Sequence, residues 1–206
     1  IDSADCFLFL QKGSKAGLKD ATYWAPMLKG FDQKCEVGAI IKGTVADAKC
    51  SFLEVKTGDT YIKGKGYVKG LPDMEKTVFD VQLDELRSSS EDFNKIEFGQ
   101  MLANVKLPEL LHSLGQINAK AEFKGLLHNF EAIGEFSTQL GNINLKGSSN
   151  RENPQENITY QANIESPNFN IGNFLGVDIL GDGKLHVDAK AKVGDLKDLK
   201  CELIAA

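Results

Sequence analysis

What the 206-residue sequence lacks narrows its chemistry. Its four cysteines, Cys6, Cys35, Cys50 and Cys201, are far apart, and no CxxC pair is present to hold zinc or run thioredoxin-type exchange. A disulfide framework belongs to chains too small to build a core, and this chain is long enough to bury one. Three histidines, His112, His128 and His186, share no ligand spacing, so each reads as a surface residue. Lys and Arg number 24 against 29 Asp and Glu, a net charge of −5, which leaves no surplus to neutralise phosphates and argues against a nucleic-acid partner. Aromatics make up 8% with a single Trp, too few for the stacked surface of a glycan-binding adhesin. No apolar run approaches the roughly 20 residues of a membrane span. The densest, Cys6–Leu10, reads as a strand. The sequence opens on Ile1 with no charged-then-apolar leader, and reads as a piece of a longer or processed protein.

Catalytic signatures are missing too. Asp178–Gly183 has two aspartates near a glycine but not the alternating ligands and terminal Glu of a calcium loop, so it reads as a turn. Gly64-Lys65-Gly66 lacks the spacing of a phosphate loop. Ser88–Ser90 has no nucleophile elbow around it. The carboxylate pairs Asp84-Glu85 and Glu91-Asp92 fall in polar strand ends and connectors, where solvation explains them. We read no enzyme, no metal site and no cofactor here.

What the sequence has is period-two alternation, the mark of antiparallel strands with one greasy and one wet face. Cys35, Val37, Ala39 and Ile41 alternate with Glu36, Gly38, Ile40 and Lys42. Ile117, Ala119, Ala121 and Phe123 alternate with Asn118, Lys120, Glu122 and Lys124. Leu185, Val187, Ala189, Ala191 and Val193 alternate with His186, Asp188, Lys190 and Lys192. Each such strand ends in the same corner: GTVADAKC at 43–50, GLLHNFEA at 125–132, GDLKDLKC at 194–201. Glycine supplies the positive φ, and Asp or Asn bonds back to the backbone. The slot filled by Cys50, Ala132 and Cys201 asks for a small buried side chain, a role Cys fills well. Return strands follow at Cys50–Val55, Phe130–Thr138 and Leu199–Leu203, and further strands at Val78–Leu83 and Ile158–Ile164. Gly58–Gly64 matches Gly141–Gly147 in spacing. Residues 87–95, 165–170 and 147–157 read as polar connectors, Pro108–Leu114 and Ile171–Leu175 as brief helices. The segment 12–34, with Trp24 and Pro26, reads as a loop with a helical turn.

The predicted fold is therefore mainly β: an elongated, curled, mostly antiparallel sheet built from repeats of 70 to 80 residues or so, with one or two short helices. Its divisions are 1–34 (a strand and an irregular segment), 35–106 (first unit), 107–182 (second unit with short helices) and 183–206 (start of a third). The apolar face is rich in small residues, among them Ala119, Ala121, Ala132, Ala162, Ala189 and Ala191. Pattern alone leaves two ways to fill it, a packed β core or a groove whose filling is not protein. No readable helix is long enough to cover the sheet, which tilts the expectation toward the groove.

These residues resemble a family. Residues 43–83 are similar to the repeat region of the TamB proteins, of the AsmA-like superfamily, in the form found in Bacteroidetes. The marks are the Gly43-Thr44-Val45 start, Gly70-Leu71-Pro72-Asp73, and the downstream run from Ser88. Residues 107–147 resemble the next unit and 160–176 a third recurring stretch, so the resemblance spans roughly 35–200. It implies a segment of a periplasmic protein, anchored in the inner membrane through another part of its chain and reaching toward the outer membrane. The implied partners are phospholipid acyl chains, shielded in a hydrophobic groove during transport between the membranes, and an outer-membrane barrel of the TamA/BamA type. The groove lining would comprise Val37, Ala39, Ile41, Ile117, Ala119, Ala121, Phe123, Phe130, Ala132 and Phe136. Tyr160, Ala162, Ile164, Leu185, Val187, Ala189, Ala191, Val193, Cys201 and Leu203 would continue it. The alternative is a chaperone-like scaffold that takes barrel precursors by strand addition at its open edges.

Overall fold

The computed structural model describes residues 5–17, 34–89, 92, 113–151, 157–177, 179–192 and 195–205. They form one antiparallel sheet whose eleven strands lie side by side in chain order. These are β1 (Cys6–Gly17), β2 (Lys34–Gly43), β3 (Asp47–Thr57), β4 (Thr60–Lys69), β5 (Val78–Ser89) and β6 (Gln116–Leu126). The remainder are β7 (Asn129–Thr138), β8 (Gly141–Asn150), β9 (Thr159–Asn170), β10 (Asp182–Lys192) and β11 (Asp195–Ala205). One short helix, α1 (Ile171–Leu175), joins β9 to β10. The sheet is open, with β1 and β11 as its edges. Ten inter-strand spacings make it about 48 Å across, against about 35 Å along a strand.

Two of the three repeated corners lie wholly within the described residues, and they share one geometry. Gly43 and Gly125 hold φ of 115° and 128°. A Cβ on either would run into the carbonyl oxygen four residues on, of Asp47 or Asn129. In the first corner Thr44 closes the turn, its hydroxyl accepting from the Asp47 amide at 3.0 Å. Short connections follow β2, β3, β6 and β7, whereas longer ones follow β1, β4, β5, β8 and β9.

Direct antiparallel partners share a face, so the register sorts the side chains. Val81, Phe123, Ala132, Gly147, Ala162 and Ala189 form one row across β5–β10. Lys146, Asn163 and Asp188 form a row on the opposite face. Bulges shift the parity within β3, between Cys50 and Leu53, and within β5, between Leu83 and Leu86.

The strands outrun several expected boundaries. β1 continues through Lys12–Gly17, part of the segment expected as loop, while 18–33 lies outside the described residues. β5 runs to Ser89 and β8 to Asn150, through stretches expected as connectors. β9 continues through Glu165–Asn170 because the ladder skips Pro167, which has no N–H to give. Gly58 and Gly141 are not equivalent: Gly58 sits inside the β3–β4 turn, whereas Gly141 is the first paired residue of β8, so Gly66 rather than Gly64 matches Gly147. The helix at Ile171–Leu175 is present, capped by the Asn170 side chain accepting from the Asn173 amide at 2.8 Å. Of Pro108–Leu114, residues 108–112 lie outside the described residues and 113–114 form a single tight turn.

A compact core sits at one end of the sheet, where α1 folds over. Leu114, Ile117, Leu140, Phe169 and Ile171 are buried there, backed by Phe136, Phe174 and Leu185. Phe169, 2% exposed, meets Phe174 edge-on at 5.4 Å between centroids. Elsewhere, among the described residues, the substantial packing partners of each strand are its sheet neighbours; α1 against β10 is the exception.

Candidate functional site

Every candidate lining residue whose side chain is described falls on one face. The pairings Val37–Val55, Cys50–Gly66, Gly66–Val81, Val81–Phe123 and Phe123–Ala132 carry that face from β2 to β7. Ala132–Gly147, Gly147–Ala162 and Ala162–Ala189 carry it on to β10. Val193 lies outside the described residues, and for Cys201 and Leu203 the backbone register alone is described: they pair with Val187 and Leu185.

The face has internal relief. Ala132, Gly147, Ala162 and Ala189 stand side by side as a low strip running across four strands. On one flank stand Phe79, Phe130 and Tyr160, and Phe123 at the end of the strip links the first two into an aromatic ladder with centroid distances of 6.3, 4.7 and 6.5 Å. On the other flank stand Leu145, Ile164 and Val187. The two flanking rows are four residues apart, about 13 Å along the strands. Phe130 and Tyr160 belong to strands that are not neighbours and approach over Ser149, which they leave 3% exposed. The Ser149 hydroxyl accepts from the Phe130 amide at 3.3 Å, so this small polar group is satisfied beneath the rings.

Most of the face is half-buried. Ile117 and Ala119 are buried near the capped end and Ala39 on β2, whereas Val81 and Tyr160 are each 38% exposed. Contributions from β3, β4, β5 and β8 were not among the expected lining residues: Leu53, Val55, Ile62, Phe79, Leu83, Ile143 and Leu145. Phe79, Val81 and Leu83 carry a plain period-two signal that would have identified them. In β3 the bulge after Cys50 reverses the alternation and hides it. Cys50 is half-buried opposite Gly66, and burial pushes its thiol pKa up.

The opposite face is mostly polar and cross-linked by charge, with Phe7, Phe9 and Ile133 standing exposed on it. Lys12 meets Glu54 at 3.0 Å, Arg87 meets Glu85 at 2.9 Å, and Lys124 meets Asp80 at 3.7 Å. His186 is on this face as expected, 3.0 Å from Asp188. His128 departs from expectation: its side chain is only 17% exposed, with Nδ1 3.5 Å from Glu75, which also pairs with Arg151. His112 lies outside the described residues. At the first corner, hydrogen bonds from Tyr67 and Lys69 hold the Asp47 carboxyl below its ordinary pKa. Two shallow depressions of about 630 and 540 Å³ are lined by pairs of side chains flanking Ala132, Gly147, Ala162 and Ala189, or Leu83, Ala121, Gly134 and Leu145. That alternation puts both on the charged face, not over the apolar one.

Among the described residues no group of three His, Cys, Asp or Glu side chains could hold a metal ion, and no helix is long and apolar enough to cross a membrane. No protein-family model matches the chain, and no curated protein or solved structure is significantly similar to it.

Proposed function

We propose that the apolar face is a lipid-shielding track: the sheet curls so that this face becomes a groove, and phospholipid acyl chains lie along it. The observation that carries the reading is the continuity of one apolar face across β2–β10, opposite a charged face, with no second layer over most of it among the described residues. An open sheet of this many strands curls, flattens or finds a second layer. The approach of Phe130 to Tyr160 across an intervening strand favours curling toward the apolar side. Each methylene held there rather than in water is worth about 0.8 kcal/mol. A row of similar contacts lets a chain slide without a single tight pocket. Corners of one geometry after β2 and β6 support a four-strand unit, β2–β5 and β6–β9, repeated along the track. The TamB-like resemblance extends the proposal to a periplasmic segment of an inner-membrane-anchored protein that works with a TamA/BamA-type barrel in outer-membrane biogenesis.

The test is native mass spectrometry of detergent-free protein with solvent extraction of any ligand. Stoichiometric phospholipid or fatty acid, lost from Ala189→Arg but kept by Lys190→Glu on the charged face, is the expected outcome. A clean protein mass that takes up no added lipid would refute the track. It would leave the open edge of β1 as ground for the strand-addition scaffold.

A further inference from the structure

Phe7 and Phe9 stand 62% and 60% exposed on the charged face of β1, and Leu8 is 45% exposed on the apolar one. The lipid track gives no use to Phe7 or Phe9, because they point away from it. Each has one neighbour on β2: Lys42, whose Nζ lies 5.4 Å from the Phe7 ring centroid, and Ile40 beside Phe9. Among the described residues, β1 pairs with no strand on its other side.

The two halves of β1 differ in how they meet that open edge. Beyond Leu10 the register slips before Ser14, Gly13 turns to φ 80°, and Lys12 and Lys15 add charge. Bulges and lysines of this kind protect edges from pairing with other chains. Cys6–Leu10 carries neither: it is a five-residue run of apolar side chains in unbroken register with Ala39–Gly43.

We propose that Cys6–Leu10 is a homotypic docking strand, pairing antiparallel with the same segment of a second copy of this chain. A two-fold axis through Leu8 sets Leu8 against Leu8 of the second copy, and Phe7 against its Phe9. The segment is thus self-complementary on both faces, with paired aromatics on one and aliphatics on the other. No like charges meet; Asp5 falls opposite Gln11 of the second copy. Because the axis stands perpendicular to the sheet, both apolar faces stay on the same side, and the face of one copy runs into that of the other. The inference does not rest on lipid binding, since it concerns the edge and the charged face.

Sedimentation velocity of the whole chain over about a hundredfold range of concentration tests it. The mass is expected to rise from 22.5 kDa toward twice that value, about 45 kDa, and Phe9→Lys is expected to keep the chain monomeric. Amide exchange of the unmodified protein at both ends of the range supplies a readout free of folding defects. Protection within Cys6–Leu10 is expected to rise about tenfold when the dimer dominates. A monomer at every concentration overturns the proposal. So does a dimer whose added protection falls in Asp195–Ala205, or anywhere other than Cys6–Leu10. Neither result depends on whether lipid is extracted.

Discussion

Replacing Gly125 with alanine tests the repeated corner directly. Two costs add. The backbone at φ 128° is a region that L-residues hold only under strain, about 1–3 kcal/mol. The new Cβ would also strike the Asn129 carbonyl and lie 2.8 Å from the Phe130 Cα. Both obstacles are backbone atoms held in the β6–β7 ladder, where Gly125 pairs with Phe130 and Leu126 with Asn129. Moving them loosens a hydrogen bond worth about 1 kcal/mol. Alanine restricts the unfolded chain and returns about 0.4–1 kcal/mol, so the net loss is about 1–3.5 kcal/mol. For a chain of this size each kcal/mol lowers Tm by about 2–4 °C, which gives a fall of roughly 2–14 °C by calorimetry. Gly43→Ala, with the same geometry, should behave alike. Two controls separate the contributions. Gly176 has φ 68° but nothing within 4 Å of a Cβ, so Gly176→Ala carries the conformational cost alone, about 1 kcal/mol. Gly147 has no positive φ and its nearest neighbour would be 3.8 Å away, so Gly147→Ala should be neutral or slightly stabilising. If Gly125→Ala melts with Gly176→Ala, the backbone collision is not what the corner imposes, and the reasoning fails.

Two further expectations follow from packing and charge. Phe169→Ala empties the largest fully buried site among the described residues and should cost about 3–5 kcal/mol, read as a lower urea midpoint; a loss under about 1 kcal/mol would mean the capped end does not fold as one core. The carboxyls of Asp47, Glu54 and Asp73 are held below their ordinary pKa, chiefly by hydrogen bonds from Tyr67 and Lys69, from Lys12, and from Lys76 respectively. Their folded-state pKa values are depressed, so their contribution is present above the ordinary carboxylate range of about 4 and is lost as pH falls through the folded values. Urea midpoints measured from pH 6 down to about pH 3 should therefore fall. The Asp47→Asn, Glu54→Gln, Asp73→Asn triple variant should show a shallower fall; an identical slope would rule these groups out as its source.

Where side chains alternate strictly, the sequence by itself determined the fold's local content. The pattern in Cys35–Ile41, Ile117–Phe123 and Leu185–Ala191 is periodic because each strand buries one side only, and the register keeps those residues on a common face. The corners at Gly43 and Gly125 were legible because only glycine tolerates that φ beside an oncoming carbonyl. Tertiary structure decided what alternation does not encode. The ladder runs past Pro167 by a bulge, and a bulge reverses the parity of β3, because hydrogen bonds to neighbouring strands outweigh local propensity. It also half-buried His128 beside Glu75 and brought Phe130 to Tyr160 over Ser149. Those contacts join residues far apart in the chain, and they exist only once the strands lie side by side.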